Sequence, residues 1–158
     1  MNLNSLKWTK NVNRDDGKWA YSPQEINSNL IFCLHWKPQS RNNAQKPQEK
    51  DLVILRQKAR VTHVVEFLNN EIYDGDGHND WIYRLVKVIW IADVWSEPPL
   101  QTKVFGCKLN LQGGDVMELT NIKAISDTWK DATTIDFHQH IRQELENSLG
   151  MSNILSQK

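Results

Sequence analysis

Hydrophobic and polar positions alternate in short blocks through most of this chain, and the period changes near its end. In residues 60–68, RVTHVVEFL, Val61, His63, Val65 and Phe67 fall on one face. Thr62, Val64 and Glu66 fall on the other. That is the period-two signature of a strand. DLVILRQ at 51–57 precedes it across a short gap, so the two predict a hairpin. WIYRLVKVIWIADV at 81–94 has the longest strand pattern, apolar on both faces in its middle, and predicts a central strand closed by Pro98 and Pro99. Upstream, KWAY predicts a short strand, and LIFCLHW predicts another that ends before Pro38. Between them Ser22, Pro23 and Glu25 form a helix-start signature. VFGCKLNL and VMELTNI flank QGGD and predict a further hairpin.

The C-terminal pattern is helical. Ile135, His138, Ile141, Leu145 and Leu149 recur at three- and four-residue spacing, with Thr133 and Asp136 to start the helix and Gly150 to stop it. This predicts a helix over 134–149. Residues 1–17 are polar and predict a flexible N-terminal arm, 18–150 a single domain, and 151–158 a tail. The order predicts an α+β fold: a small, mostly antiparallel β-barrel of five or six strands with a short N-terminal helix and a C-terminal helix.

Composition narrows the functional classes. The 158 residues carry 19 basic and 19 acidic side chains, so no global field draws the chain to nucleic acid or membrane, and such a partner would meet a local patch. The two cysteines, Cys33 and Cys107, and a start without a signal-peptide pattern predict reduced thiols and a cytoplasmic protein. No apolar run approaches the ~20 residues of a membrane-spanning helix. Of the seven tryptophans, Trp90 is expected in the core, Trp95 at a rim or in the core, Trp129 against the C-terminal helix, Trp19 beside the short helix, and Trp8 in the arm.

Candidate chemistry is sparse. Asp74, Asp76, His78 and Asp80 alternate as in a calcium loop, but Asn79 and Leu85 stand where the glycine and glutamate belong, so a solvated hairpin loop is expected. Cys33, His35, His63 and Cys107 lack the paired spacing of a zinc site. No nucleophile elbow, phosphate loop or dinucleotide fingerprint occurs. Cys33 reads as a packed thiol inside an apolar strand. Neither a catalytic residue nor a metal or cofactor is expected. Lys37, Arg41, Lys46, Lys50, Arg56, Lys58 and Arg60 crowd one stretch, whereas 61–80 carries five acids and no base. Lysines and arginines there are candidates to hold phosphates.

The order of features resembles a family. PQSRNNAQKPQEKDLVIL is similar to the segment of EVE domains where a Gln-x-Arg-Asn motif precedes a basic stretch and an Asp-Leu-hydrophobic strand. YDGDGHNDWIYRLVKVIWIADV, with a tryptophan opening a long strand, resembles EVE and the related YTH domains. WAYSPQEINSNLIFCLHW is similar to the YTH order of strand, capped helix and strand ending in tryptophan. The resemblance spans residues 18–130. The chain departs from the pattern at Lys50, at Thr62 and His63, and at Leu55, Arg56 and Gln57.

The resemblance implies a PUA-like barrel that binds a modified or flipped base of DNA or RNA in an aromatic cage without catalysis. It implies Trp36 and Trp81 as cage walls and Ser40, Arg41, Asn42 and Asn43 as the pocket edge. Lys37, Lys46, Arg56, Lys58 and Arg60 would meet phosphates. A protein–protein interaction module, a barrel without a base pocket, and a small hydrolase remain open alternatives.

Overall fold

The computed structural model describes residues 1–75 and 80–148. Among the described residues seven strands form one sheet: β1 (Leu6–Asn11), β2 (Ile31–Trp36), β3 (Leu52–Gln57), β4 (Arg60–Phe67), β5 (Tyr73–Asp74), β6 (Ile82–Ile91) and β7 (Val116–Glu118). The α-helices of the described residues are α1 (Arg41–Ala44), α2 (Gln101–Phe105), α3 (Lys123–Thr128) and α4 (Thr134–Ser148). The sheet runs β2-β6-β4-β3-β1-β7, with β5 paired to the start of β6. It is curled and mixed, a half-barrel whose end strands are β2 and β7.

The mixing comes from a segment expected to be an arm. Residues 6–11 form β1, which lies parallel to β3 on one side and antiparallel to β7 on the other. Leu6 and Trp8 are buried on it, and the Trp8 indole donates to Asp51 Oδ2 at 2.8 Å. The polar look of residues 1–17 hid a strand whose neighbours come from elsewhere in the chain. KWAY is not a strand either; Tyr21 sits there at φ 55°. The SPQE signature starts only a 3₁₀ turn, Pro23–Glu25. The loop after Pro38 holds a second 3₁₀ turn and then α1.

Two packed layers result. On one face of the sheet, Ile54, Val64, Trp90 and Phe105 pack with Ile125, Phe137, Ile141 and Leu145 of the helices. On the other, Trp8, Phe32, Leu34, Trp36, Val53, Val65, Phe67, Val86 and Val116 pack together inside the curl. β3 is buried along its whole length because both of its faces meet a core. β6 is an interior strand, paired with β2 and β4, but it lies one strand in from the β2 edge, not at the centre. Only its even positions are buried; Lys87 and Ile89 are exposed.

A β-bulge corrects the expected face of β4. Leu55 pairs with His63 and Arg56 with Val61, so Thr62 is an extra residue. An extra residue reverses the alternation. Val61 therefore joins Val64 against the helices, while Val65 and Phe67 face the curl.

The hairpin expected around QGGD does not form. Val104 and Phe105 end α2, and Gly106 closes that helix at φ 73°, where a Cβ would meet Trp129 Cζ2 at 3.0 Å. β7 pairs instead with β1. At the C-terminus Thr133 and Asp136 form the expected reciprocal cap. The backbone N–H of Thr133 donates to Asp136 Oδ2 at 3.0 Å, and the backbone N–H of Asp136 donates to Thr133 Oγ1 at 3.1 Å. The buried stripe of α4 is Phe137, Ile141 and Leu145, however, and Ile135 is 66% exposed. Leu149, Gly150 and the tail 151–158 lie outside the described residues. Among the described residues no helix is long and apolar enough to cross a membrane.

Candidate functional site

A relay of buried polar groups begins at the end of β3. Gln57 is 1% exposed, and its amide binds both backbone groups of Ala20: Oε1 accepts from Ala20 N at 2.7 Å and Nε2 donates to Ala20 O at 3.0 Å. The same Nε2 donates to Thr62 Oγ1 at 3.0 Å. Thr62 Oγ1 lies 2.8 Å from His63 Nδ1, and His63 Nε2 lies 2.9 Å from the carbonyl oxygen of Tyr21. A carbonyl only accepts, so Nε2 carries the proton and Nδ1 accepts from the threonine. Burial lowers the His63 pKa from 6.5 to about 4, against the opposing pull of the Tyr21 carbonyl. The imidazole is a neutral structural member of the relay.

This relay holds Ala20 and Tyr21 in a turn that a strand could not make, and it aims the Tyr21 ring over β2. The phenol oxygen accepts the backbone N–H of His35 at 3.0 Å and lies 3.0 Å from His35 Nδ1. The Tyr21 and His35 rings are parallel within 2° at 6.2 Å, and Phe32 packs 4.6 Å from Tyr21.

These rings wall a cleft of about 510 Å³. Tyr21, Phe32, His35 and Trp81 supply aromatic surface, and Cys33 shares the His35 side of β2. Asn13, Arg14, Asp15, Asp16 and Glu25 supply the polar rim. Arg14 donates to Asp16 Oδ2 at 2.8 Å and pairs with Glu25. The Lys18 backbone N–H, then Arg14, hold the Asp16 carboxyl below its usual range.

The expected site residues disperse. Trp36 is 1% exposed and points into the curl, away from Cys33 and His35. Its indole N–H donates to Asn43 Oδ1 at 2.9 Å, and Lys10 Nζ sits 4.7 Å over its ring. Buried this way it is a core residue, not a cage wall, and it does not face Trp81. The residue beside it on the exposed side of β2, His35, was missed; strict alternation with Trp36 was the available signal. Trp81 does line the cleft.

Asn43 is committed to structure. Besides Trp36, its Oδ1 accepts from Val116 N at 2.7 Å and its Nδ2 donates to Val116 O at 2.9 Å. Ser40 is half-buried, Asn42 is exposed, and Arg41 pairs with Asp74 at 3.1 Å; none of them lines the cleft.

The basic candidates divide. Arg56 is 2% exposed, with Nε on Thr9 Oγ1 at 2.8 Å and Nη1 on Gln101 Oε1 at 3.3 Å, so it cannot meet a phosphate. Burial alone lowers its pKa to about 10. Arg60 is half-buried and donates to the Pro98 carbonyl. Lys58 lies 4.4 Å over the Trp19 ring. Lys37 and Lys46 are exposed. The ladder of β2 with β6 ends at Trp36 opposite Ile82, and Lys37 leads from it into the 3₁₀ turn Pro38–Ser40.

Of the possible zinc ligands, His63 is spent in the relay and Cys107 lies away from the cleft, with a pKa raised by burial. Asp76 and His78 of the acidic loop lie outside the described residues. Set against known proteins, the chain matches no family model and no curated sequence.

Proposed function

We propose that this protein is a non-catalytic nucleic-acid binding module that takes a flipped or single-stranded base, modified or not, into the cleft of Tyr21, Phe32, His35 and Trp81. The observation that carries this reading is the cleft itself. Aromatic surface on several elements converges on about 510 Å³, a volume in the range of small-ligand sites. Stacking of a base on an aromatic side chain contributes about 1–3 kcal/mol. Asn13 and the rim carboxylates offer acceptors for the exocyclic amines of a base edge. Extruding a base from a duplex costs a few kcal/mol, which stacking on two rings offsets. Lys37, which follows β2, and Lys46 are exposed cations for a flanking phosphate. Kinship with PUA-like EVE and YTH domains belongs to this reading. Its support is the curled α+β sheet and the aromatic content of the cleft.

Titration of single-stranded and mismatched oligonucleotides at low salt tests it. Tyr21→Ala and Trp81→Ala should each weaken binding by about tenfold or more. No binding at low salt, where phosphate contacts are strongest, would remove the proposal.

One observation favours a protein-interaction module as the second reading. Leu6, Leu119, Ile125, Trp129 and Phe137 line an apolar groove of about 260 Å³ beside α4, next to exposed Ile135. Loss of binding to a protein partner in an Ile135→Asp variant, with oligonucleotide binding absent, would select it.

A further inference from the structure

Resting on the base-binding reading above, we infer that the cleft selects a positively charged base, one alkylated or protonated on a ring nitrogen, over its neutral counterpart. The charge census of the cleft carries this. Three carboxylates, Asp15, Asp16 and Glu25, stand on its rim against one cation, Arg14. That cation is already engaged by two of them, Asp16 and Glu25. Asp15 has no ion pair among the described residues. The rim thus holds a surplus of negative charge facing aromatic walls.

The walls add to the same preference. The faces of Tyr21, Phe32 and Trp81 carry the negative side of the ring quadrupole, which attracts a cation placed over them. A flat ring bearing a delocalised positive charge meets both terms at once, by stacking on the aromatic faces with its charged edge toward the carboxylates. A neutral base of the same shape keeps the stacking and loses the rest. The carboxylates are exposed, so their share is screened by salt and the preference is largest at low ionic strength.

The chemistry has two sources, a free nucleoside and a base within a strand, and one experiment separates them. The probes are 1-methyladenosine, cationic at neutral pH, and its neutral isomer N6-methyladenosine. Each is titrated as the nucleoside and within the same short single-stranded oligonucleotide. The expected result is about tenfold tighter binding of the cationic isomer at low salt. That gap should shrink in high salt and close in the exposed double variant Asp15→Asn/Glu25→Gln. A gap in the nucleoside pair alone assigns a free nucleoside as ligand; a gap in both assigns a base in a strand; either supports the inference. Equal affinity for the two isomers, or a gap untouched by the double variant, overturns charge selection and leaves base binding standing. Binding of neither isomer at low salt, as nucleoside or within the strand, overturns the base-binding reading itself.

Discussion

Trp36 and Asn43 are joined by a hydrogen bond of 2.9 Å, from the indole N–H to the amide oxygen, and that bond ties together the two ends of the sheet. Trp36 ends β2, one edge strand. The same amide oxygen accepts the backbone N–H of Val116, which begins β7, the other edge. A single side chain thus spans the opening of the half-barrel. Gln57 repeats the device on Ala20. In both places an amide side chain replaces a missing strand by binding one residue's N–H and C=O together.

Asn43→Ala should therefore act on stability. It leaves the buried Trp36 indole and both backbone groups of Val116 without their partner, at a cost of about 2–4 kcal/mol. Asn43→Asp, which keeps the acceptor and loses the donor, should cost less. Urea denaturation measures both. A loss below about 0.5 kcal/mol for the alanine variant would show that the clasp is dispensable.

Lys10 makes stability rise with pH in alkali. Desolvation lowers its pKa from 10.5 to about 7, with Asp115 pulling the other way. The unfolded chain therefore binds more protons than the folded one between pH 7 and 10.5, and stability increases across that window. The cost of burying the charge is fully present below pH 7. Lys10→Met should stabilise the protein by about 1–3 kcal/mol at pH 6 and by less at pH 9.5, since a tenfold change in a protonation equilibrium corresponds to about 1.4 kcal/mol. A variant that is less stable at both pH values would mean that the contacts to Trp36 and the Gly114 carbonyl outweigh desolvation.

His63 governs a separate, acidic window. Its pKa falls from 6.5 unfolded to about 4 folded, chiefly through burial. The unfolded state takes up the proton first, so this residue lowers stability as pH falls from 6.5 to 4 and has no such effect above it. The loss should reach up to about 3 kcal/mol at pH 4. His63→Gln should be less stable at pH 7, having lost the fit of the relay, but flatter with pH. A wild-type protein and variant with parallel acid profiles would exclude His63 as the sensor.

The two tryptophans of the expected cage should behave differently. Under the proposed base-binding function, Trp81→Ala should weaken binding by about 1–3 kcal/mol with little change in Tm. Trp36→Phe should lower stability by about 1–3 kcal/mol and leave the affinity of the folded protein alone. Tyr21→Phe, which keeps the ring and loses the hydroxyl contacts to His35, should bind better than Tyr21→Ala. Equal loss of affinity from Trp36→Phe and Trp81→Ala would return Trp36 to the site.

Along α4 the register is testable in two variants. Ile141→Ala should cost about 2–5 kcal/mol, because the side chain is fully buried. Ile135→Ala should change stability by less than about 0.5 kcal/mol. The reverse order would contradict the packing of the helix.

Much of the local structure was legible in the sequence because short-range rules govern it. The spans of β2, β3, β4 and β6, the Thr133–Asp136 cap and the placement of Trp129 follow from alternation, capping and turn chemistry acting within a few residues. The Trp129 indole does seal that region, donating to the Phe105 carbonyl at 2.9 Å and packing 5.2 Å from Phe137. Which alternate positions are buried was harder to read. In β4 one extra residue at Thr62 reverses the faces, and a bulge leaves no mark in a pattern of apolar residues.

Only the tertiary structure decided which residues are core and which line the cleft. β1 is polar enough to read as an arm, yet it is a strand because β3 and β7 supply its backbone partners from across the chain. Trp36 and His35 are adjacent and equally suited to a pocket. The curl of the sheet buries the first and turns the second toward Tyr21. Arg56 reads as a phosphate contact until the sheet encloses it between Thr9 and Gln101. Tyr21 reaches the cleft because Gln57 and His63, distant in sequence, bind the backbone on which it stands. Sequence periodicity reports which residues share a face. Whether that face meets protein or solvent depends on what the rest of the chain folds against it.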